Sequence, residues 1–180
     1  STVNSLNTRK KHKLAPKAPV CVNSMTLETI LPPERVLFDV PGGSKKRVLE
    51  FYSTFIAQNI PSLDSQEVFS RLIGRERLGS TGIGNGVAIP HARSPHCNAP
   101  IAGFLKLAEA IDFDAIDGDP VDLVFVLLVP EEADDTHLSL LGQVATIMND
   151  ADTRQQLRKA ASQRELLELI TAKIREQSAA

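Results

Sequence analysis

The sequence predicts an α/β fold, a three-layer sandwich in which a single mixed β-sheet is flanked by helices on both faces. Three observations support this fold class. Stretches with the apolar spacing of helices alternate with short β-branched runs, as in proteins that layer helices on a sheet. Turns that contain Pro or Gly separate these stretches. The most hydrophobic and β-branched run, 121–129, has the composition of a central strand that is buried on both faces.

The first half of the fold is predicted to contain one strand and two helices. After a helical turn at 27–31, the apolar residues 36–38 predict a strand, which a Pro-Gly-Gly sequence ends. Ser44 is a suitable N-cap for a helix that extends to about Gln58. Asp64 begins a second helix in the same way, and that helix leads into a glycine-rich segment.

The second half is predicted to supply three strands and three helices. The predicted strands lie at 87–89, 101–107 and 121–129. The predicted helices lie at 136–148, 153–161 and 164–176. Thr136 and Ser162 are the expected N-caps of the first and the last of these helices.

Residues 1–24 differ in composition from the rest of the chain. They contain five basic and no acidic residues, whereas residues 25–180 contain 15 basic and 22 acidic ones. A polar, basic segment of this kind is typical of a disordered extension or an expression remnant, and we expect residues 25–180 to form the folded domain. An arm that binds nucleic acid or a membrane surface is less favoured, because the segment lacks tryptophan, tyrosine, phenylalanine and helical amphipathicity.

Composition also limits the setting and the cofactors of the protein. No apolar run reaches the ~18 residues that a membrane span needs, so we expect no membrane insertion. The chain has two cysteines, Cys21 and Cys97, which form neither a disulfide framework nor a Cys-x-x-Cys pair. We therefore expect a protein of the reducing cytoplasm that holds no metal and no cofactor.

The segment 79–93, GSTGIGNGVAIPHAR, has the features of a functional site. Its four glycines permit positive φ angles and predict a tight loop with accessible backbone amides. The strand at 87–89 ends at Pro90, which cannot donate a ladder hydrogen bond. His91 is thereby placed at the end of a strand and beside the loop.

Nucleotide binding is not favoured for this glycine-rich segment. The dinucleotide fingerprint requires G-x-G-x-x-G between a strand and a helix, whereas these glycines have a different spacing and lead into a strand. The P-loop requires a lysine after its last glycine, and no lysine lies between Lys46 and Lys106.

A histidine beside free amides suits the transfer of a phosphoryl group. Its ordinary pKa of ~6.5 leaves a neutral ring nitrogen available as a nucleophile near neutral pH. Backbone amides in a concave loop can bind the phosphoryl oxygens. We expect Ser80, Thr81 and Gly82 to contribute to such a phosphate-binding loop.

The spacing around His91 resembles the active-site signature of a known family. Glu76, six further residues, Ile83-Gly84, two more residues, and then the run VAIPHA at 87–92 are similar to the fructose/mannitol-type IIA proteins of the phosphoenolpyruvate-dependent phosphotransferase system. Asn85, together with the sequence SKKRVLEF at 44–51, is more similar to the nitrogen-regulatory branch than to the sugar-specific branches. The resemblance extends from about Met25 to the C-terminal helix, and it implies the same α/β sandwich.

The resemblance implies a role for three catalytic residues. His91 occupies the position of the histidine that accepts the phosphoryl group. His137 resembles the second active-site histidine, which hydrogen-bonds the phosphate. Arg75 resembles the arginine that adds positive charge to the site, and Arg77 is a nearby competitor for that role.

The resemblance also implies partners. The donor would be a histidine phosphocarrier protein of the HPr or NPr type, supplied from phosphoenolpyruvate. In the nitrogen-regulatory branch, proteins such as potassium-transport and sensor-kinase components respond to the phosphorylation state, and neither a metal nor a nucleotide takes part.

Two alternatives remain open on the sequence. The protein could be a sugar-specific IIA component that passes its phosphate to a IIB domain. It could also be a degenerate receiver that binds partners without being phosphorylated, although the presence of His91, His137 and Arg75 together argues against this.

Overall fold

The computed structural model describes residues 26–179, and it describes only the backbone of Thr136. The predicted basic extension at 1–24 lies outside this range. Within residues 26–179, the chain forms one mixed six-stranded sheet with helices on both faces, so the predicted fold class is confirmed. No helix in this part of the chain is both long and apolar enough to cross a membrane.

Within residues 26–179, six strands and six α-helices follow the order expected of a layered α/β fold. The strands are β1 (Val36–Val40), β2 (Gly82–Gly84), β3 (Val87–Ala88), β4 (His91–Ser94), β5 (Ile101–Ile111) and β6 (Val121–Pro130). The helices are α1 (Leu27–Ile30), α2 (Lys45–Asn59), α3 (Ser65–Arg77), α4 (Asp135–Met148), α5 (Ala151–Lys159) and α6 (Gln163–Ala179).

Strand β6 is the centre of the sheet, as its composition predicts. It pairs antiparallel with β5 on one side and parallel with both β3 and β4 on the other. Strand β2 pairs with β3, and β1 pairs with β5, which gives the order β1-β5-β6-β3-β2. Because β3 and β4 share one side of β6, the segment between them lies directly beside the central strand.

The side chains of β6 fill two separate cores. Leu123, Phe125 and Leu127 pack with helices α1, α4, α5 and α6 on one face. Val124, Val126 and Leu128 pack with α2 and α3 on the other. Successive side chains of a strand point to opposite faces, so an apolar run can supply both cores at once.

Several predicted helix boundaries are confirmed and one N-cap is wrong. The side chains of Ser44 and Asp64 accept hydrogen bonds from backbone amides at the starts of α2 and α3. Helix α4 begins at Asp135, one residue before the predicted cap Thr136. The carboxylate of Asp134 accepts from the backbone N–H of His137 at 3.4 Å, which places the capping group two residues earlier than predicted.

The strand predictions need three corrections. The glycine-rich segment was expected to be a loop, but part of it forms β2, which pairs with β3 in a hairpin. Gly84, Asn85 and Gly86 have φ angles of 97°, 57° and 76°, which explains why glycine is needed at this turn. Strand β4 was not predicted, and β5 extends to Ile111 rather than ending at 107.

Candidate active site

The candidate site forms where the chain passes from β3 to β4. The two strands are separated by Ile89 and Pro90, and His91 is the first residue of β4. The backbone N–H of Leu127 donates to the carbonyl of Pro90 at 2.9 Å, and His91 pairs with Leu127 in the parallel ladder. The backbone on both sides of the histidine is therefore fixed to the central strand.

A backbone hydrogen bond orients the ring of His91. Its Nδ1 lies 2.8 Å from the carbonyl oxygen of Ile89. A carbonyl can only accept, so Nδ1 carries the proton and donates, and Nε2 holds the lone pair. Among residues 26–179, no hydrogen-bond partner contacts Nε2. The ring therefore offers an available nucleophilic nitrogen.

The environment of His91 favours its neutral form. Burial lowers the pKa of the imidazole below its usual value, and the positive charge of Arg75 lowers it further. The hydrogen bond to Ile89 and the charge of Glu76 oppose this shift, but the net direction is downward. A neutral ring is the form that can attack phosphorus.

A pocket of about 390 Å³ brings His91 together with the other two predicted catalytic residues. Arg75 reaches it from α3 on one face of the sheet, and His137 reaches it from α4 on the other face. Its lining residues are Arg71, Arg75, Leu78, His91, Ala92, Arg93, Leu127, Val129, His137, Leu138 and Leu141. The pocket thus combines cationic groups with apolar walls.

The ring of His137 contacts the residue that precedes its helix. Its Nδ1 lies 3.2 Å from the backbone nitrogen of Asp134 and 3.1 Å from that residue's carboxylate. In a neutral ring, Nδ1 accepts from the backbone N–H, and the proton then lies on Nε2. In a protonated ring, Nδ1 instead donates to the carboxylate, and Nε2 is again a donor.

The structure distinguishes Arg75 from Arg77. Arg75 lines the same pocket as His91, and its Nη1 donates to the carbonyl of Gly79 at 2.9 Å. Arg77 lines a different pocket, on the other side of α3, together with Lys45 and Lys46. The spacing on the helix therefore places the two arginines on different faces.

Two further arginines line the His91 pocket, and sequence reasoning assigned a site role to neither. Arg71 lies one helical turn before Arg75, so the i, i+4 spacing on α3 was the signal that could have indicated it. Arg93 lies two residues after His91 on β4 and donates to the carbonyls of Glu131 and Ala133 at 2.8 and 3.0 Å. It fixes the loop before α4, which carries His137.

The structure does not bring Ser80, Thr81 and Gly82 into this pocket. The Ser80 hydroxyl donates to the carbonyl of Phe113 at 2.6 Å and accepts from the amide of Gly82. Thr81 is only 4% exposed, and both its amide and its hydroxyl donate to Glu76. These groups are already used within the fold, so the arrangement does not favour their predicted role in binding phosphate.

The rim of the pocket is apolar and accessible. Leu78 is 85% exposed at the end of α3, and Leu138 is 45% exposed in the first turn of α4. By contrast, Phe104 and Leu107 are 0% and 3% exposed and belong to the core.

In the part of the chain that the structure describes, no three histidine, cysteine or acidic side chains gather in a metal-binding arrangement.

Comparisons with known proteins match most of the described residues. The family model described as "Phosphoenolpyruvate-dependent sugar phosphotransferase system, EIIA 2" matches residues 29–173. A nitrogen regulatory protein of Pseudomonas aeruginosa is 52% identical over 144 residues, which cover 80% of this chain and 94% of that protein. A fructose-specific EIIA component of the phosphotransferase system from Haloferax volcanii is 31% identical over 80% of this chain and 94% of its own length.

A solved structure extends this similarity to the fold. The nitrogen regulatory protein IIA-Ntr of Neisseria meningitidis superimposes with a TM-score of 0.75 and is 38% identical. The match covers 82% of this chain and 97% of that one.

Proposed function

The chain belongs to the EIIA 2 family of the phosphoenolpyruvate-dependent phosphotransferase system, and from this premise we propose that it accepts a phosphoryl group on Nε2 of His91. The donor is a phosphohistidine carrier protein of the HPr or NPr type. The observation that carries the proposal is the 2.8 Å contact between Nδ1 of His91 and the carbonyl of Ile89, which leaves Nε2 with the lone pair.

The transfer exchanges one phosphorus–nitrogen bond for another. The bond from phosphorus to Nε2 of His91 forms as the bond to the donor ring breaks. A donor ring that is protonated on its other nitrogen leaves as neutral imidazole. The ring of His91 keeps its proton on Nδ1, which remains hydrogen-bonded to the carbonyl of Ile89. Both sides of the exchange thus carry the same charge, and the product retains the group-transfer potential of a phosphohistidine.

The protein's contribution to this step is positioning and charge. Phosphoryl transfer depends mainly on alignment and on stabilising the charge spread over the phosphoryl oxygens. The guanidinium of Arg75 supplies donors with a geometry that fits phosphate. Nε2 of His137 is a donor in either protonation state described above, so it can hydrogen-bond a phosphoryl oxygen.

The exposed rim of the pocket gives the phosphorylation state a way to affect partners. A phosphoryl group on His91 would place about −1.5 to −2 charges beside Leu78 and Leu138, which lie exposed at the edge. A partner that packs on this rim would meet a cationic pocket before phosphorylation and a neutralised one after it. We therefore propose a regulatory role, with partners such as potassium-transport or sensor-kinase components, in the reducing cytoplasm.

The proposal is tested by reconstituting phosphate uptake from labelled phosphoenolpyruvate, enzyme I and the phosphocarrier. We expect acid-labile, alkali-stable label on the wild-type protein and none on His91→Ala. His96→Ala is the matched control, because His96 is exposed and does not line the pocket. Uptake by His91→Ala at the wild-type rate would show that another residue accepts the phosphate.

A sugar-specific role is the second candidate, and the 31% identity to a protein named as a fructose-specific EIIA component favours it. Such a protein would pass its phosphate to a IIB domain. Mixing the phosphorylated protein with fructose- and mannitol-type IIB domains decides between the two roles. We expect the label to stay on the protein; rapid transfer to a IIB domain would support the sugar-specific role instead.

A further inference from the structure

Glu76 is a buried carboxylate that the chemistry above does not use. Its side chain is 1% exposed, near the C-terminal end of α3. The ammonium of Lys45 lies 3.3 Å away and compensates its charge. Replacing a buried ion pair by apolar groups is often neutral or stabilising. A contribution to the stability of the fold therefore does not by itself explain why this pair is present.

The carboxylate of Glu76 fixes the next segment of chain at two atoms. One oxygen accepts from the backbone N–H of Thr81 at 3.2 Å, and the other accepts a short hydrogen bond from the Thr81 hydroxyl. Thr81 is 4% exposed, so water does not compete for these contacts. Hydrogen bonds to a charged group in such a site are stronger than those between neutral groups.

Thr81 in turn fixes the residue that orients His91. The backbone N–H of Ile89 donates to the carbonyl of Thr81 at 3.0 Å. The carbonyl of Ile89 then accepts from Nδ1 of His91 at 2.8 Å. The contacts form one continuous path from Glu76 through Thr81 and Ile89 to the histidine ring.

The break between β3 and β4 gives this path its importance. Ile89 and Pro90 lie outside both strands, and Pro90 has no N–H. The hydrogen bond to Thr81 therefore replaces a strand contact in holding Ile89. A shift of Ile89 would move the only carbonyl that distinguishes the two ring nitrogens of His91 within the described part of the chain.

We propose that Glu76 and Thr81 are positioning residues that hold the carbonyl of Ile89 in place and so keep the ring proton of His91 on Nδ1. The consequence of this inference, that Nε2 attacks phosphorus, rests on the proposed function. Its structural part, the location of the proton, does not depend on any phosphoryl donor.

The test removes the Thr81 hydroxyl with little change of shape. Thr81→Val keeps the backbone N–H that donates to Glu76 and loses the hydroxyl, whereas Thr81→Ser keeps both. Thr153→Val is the matched control, because Thr153 is also buried at 2% exposure and its hydroxyl donates to the carboxylate of Asp150 at 2.6 Å. Thr153 lies in α5 and does not line the His91 pocket.

The first readout is the position of the ring proton, observed by 15N NMR of labelled histidine without a donor present. We expect Nδ1–H in the wild type, in Thr81→Ser and in Thr153→Val, and a mixture of both tautomers in Thr81→Val. The second readout is the rate of phosphate uptake. We expect it to fall about tenfold in Thr81→Val, since the partners that orient a ligating histidine at metal sites change activity by ~10–100-fold.

Glu76→Gln is the second variant, in case Thr81→Val does not fold. Its amide has one accepting oxygen where the carboxylate has two, so it can accept only one of the two hydrogen bonds from Thr81, and it no longer compensates the charge of Lys45. We expect the same mixture of tautomers. Folded variants that keep Nδ1–H and the wild-type rate would overturn the inference, as would an equal change in Thr153→Val. If the wild type takes up no phosphate at all, the proposed function fails while the NMR comparison still decides the position of the proton.

Discussion

The two sides of β6 show how one central strand can serve both stability and chemistry. On one side, β5 is a single strand of 11 residues that pairs with β6 in a regular register from Ile101 to Lys106 and again, after a register shift, at Ile111. On the other side, the neighbouring chain is divided into the two-residue β3 and the four-residue β4. Because the two strands are interrupted at Ile89 and Pro90, the carbonyl of Ile89 can accept a hydrogen bond from Nδ1 of His91.

This difference separates two kinds of backbone role. In β5, residues 101–106 pair regularly with β6, and the side chains fill both cores. At the break between β3 and β4, the carbonyl of Ile89 instead accepts a hydrogen bond from Nδ1 of His91 and so orients a side chain. We therefore expect substitutions in β5 to change stability and substitutions around the break to change chemistry.

The largest effect is expected from Gly103→Ala in β5. A Cβ at this position would lie 2.4 Å from the ring of Tyr52, which is completely buried. Overpacking of this kind costs typically 1–3 kcal/mol, and we expect a loss of about 3 kcal/mol in the free energy of unfolding, measured by urea denaturation. Phosphate uptake by the folded fraction should remain at the wild-type rate.

Gly142→Ala is the matched control for that substitution. Gly142 lies inside α4, and no atom lies within 4 Å of a Cβ built there. Alanine should therefore stabilise the helix by about 0.5–1 kcal/mol. A destabilisation similar to that of Gly103→Ala would show that the close contact with Tyr52 is not the cause.

The next largest effect is expected in the pocket beside the break, from Arg75→Gln. Removing a charged donor to phosphate costs about 1.5–3 kcal/mol, so we expect phosphate uptake to slow by about ten- to a hundredfold, measured as an initial rate. Arg77→Gln should change this rate little, because Arg77 lines the pocket on the other side of α3. Equal losses in both variants would show that the net charge of the helix, rather than the position of Arg75, matters.

A smaller effect is expected from Asp134→Asn. The carboxylate of this residue lies 3.1 Å from Nδ1 of His137 and so helps to hold the ring that would hydrogen-bond the phosphoryl group. Exposed pairs of this kind contribute about 0.2–1 kcal/mol, so we expect hydrolysis of the phosphorylated protein to accelerate about twofold. Asp150→Asn, which changes the N-cap of α5 instead, should leave the half-life of the phosphohistidine unchanged.

The smallest effect concerns the pH dependence of uptake. Protonation blocks Nε2 of His91, so uptake is complete above the pKa and declines as the pH falls through it. Burial lowers this pKa, so the decline should occur at a more acidic pH than the ~6.5 of an unperturbed histidine. Arg75→Gln should move the midpoint upward, because the charge of Arg75 also lowers the pKa. An NMR titration of His91 with a midpoint at or above ~6.5 would contradict this.

The sequence predicts the central strand and the helix caps better than the side of the sheet with the break. The run 121–129 and the caps Ser44 and Asp64 are local signals, and the structure confirms all three. The strands β2 and β4 are too short and too rich in glycine and polar residues for a periodic pattern to be visible. They form because β6 and β3 offer backbone partners, which is tertiary information.

The same distinction applies to the site. Motif spacing indicated His91, His137 and Arg75, and the structure places all three around one pocket. The hydroxyls of Ser80 and Thr81 also had suitable chemistry, but their use depends on contacts with Phe113 and Glu76 that only folding creates. Arg93 anchors the loop before α4, the helix that carries His137, through contacts about 40 residues away, which the sequence does not show.

The most direct measurement is the position of phosphorus on the ring of His91. The phosphorylated, 15N-labelled protein can be observed by NMR that detects the coupling between 31P and the ring nitrogens. We predict that phosphorus is bonded to Nε2 and that Nδ1 keeps its proton. Phosphorus on Nδ1, or on any residue other than His91, would contradict it, because the contact with Ile89 would then not select the nucleophile.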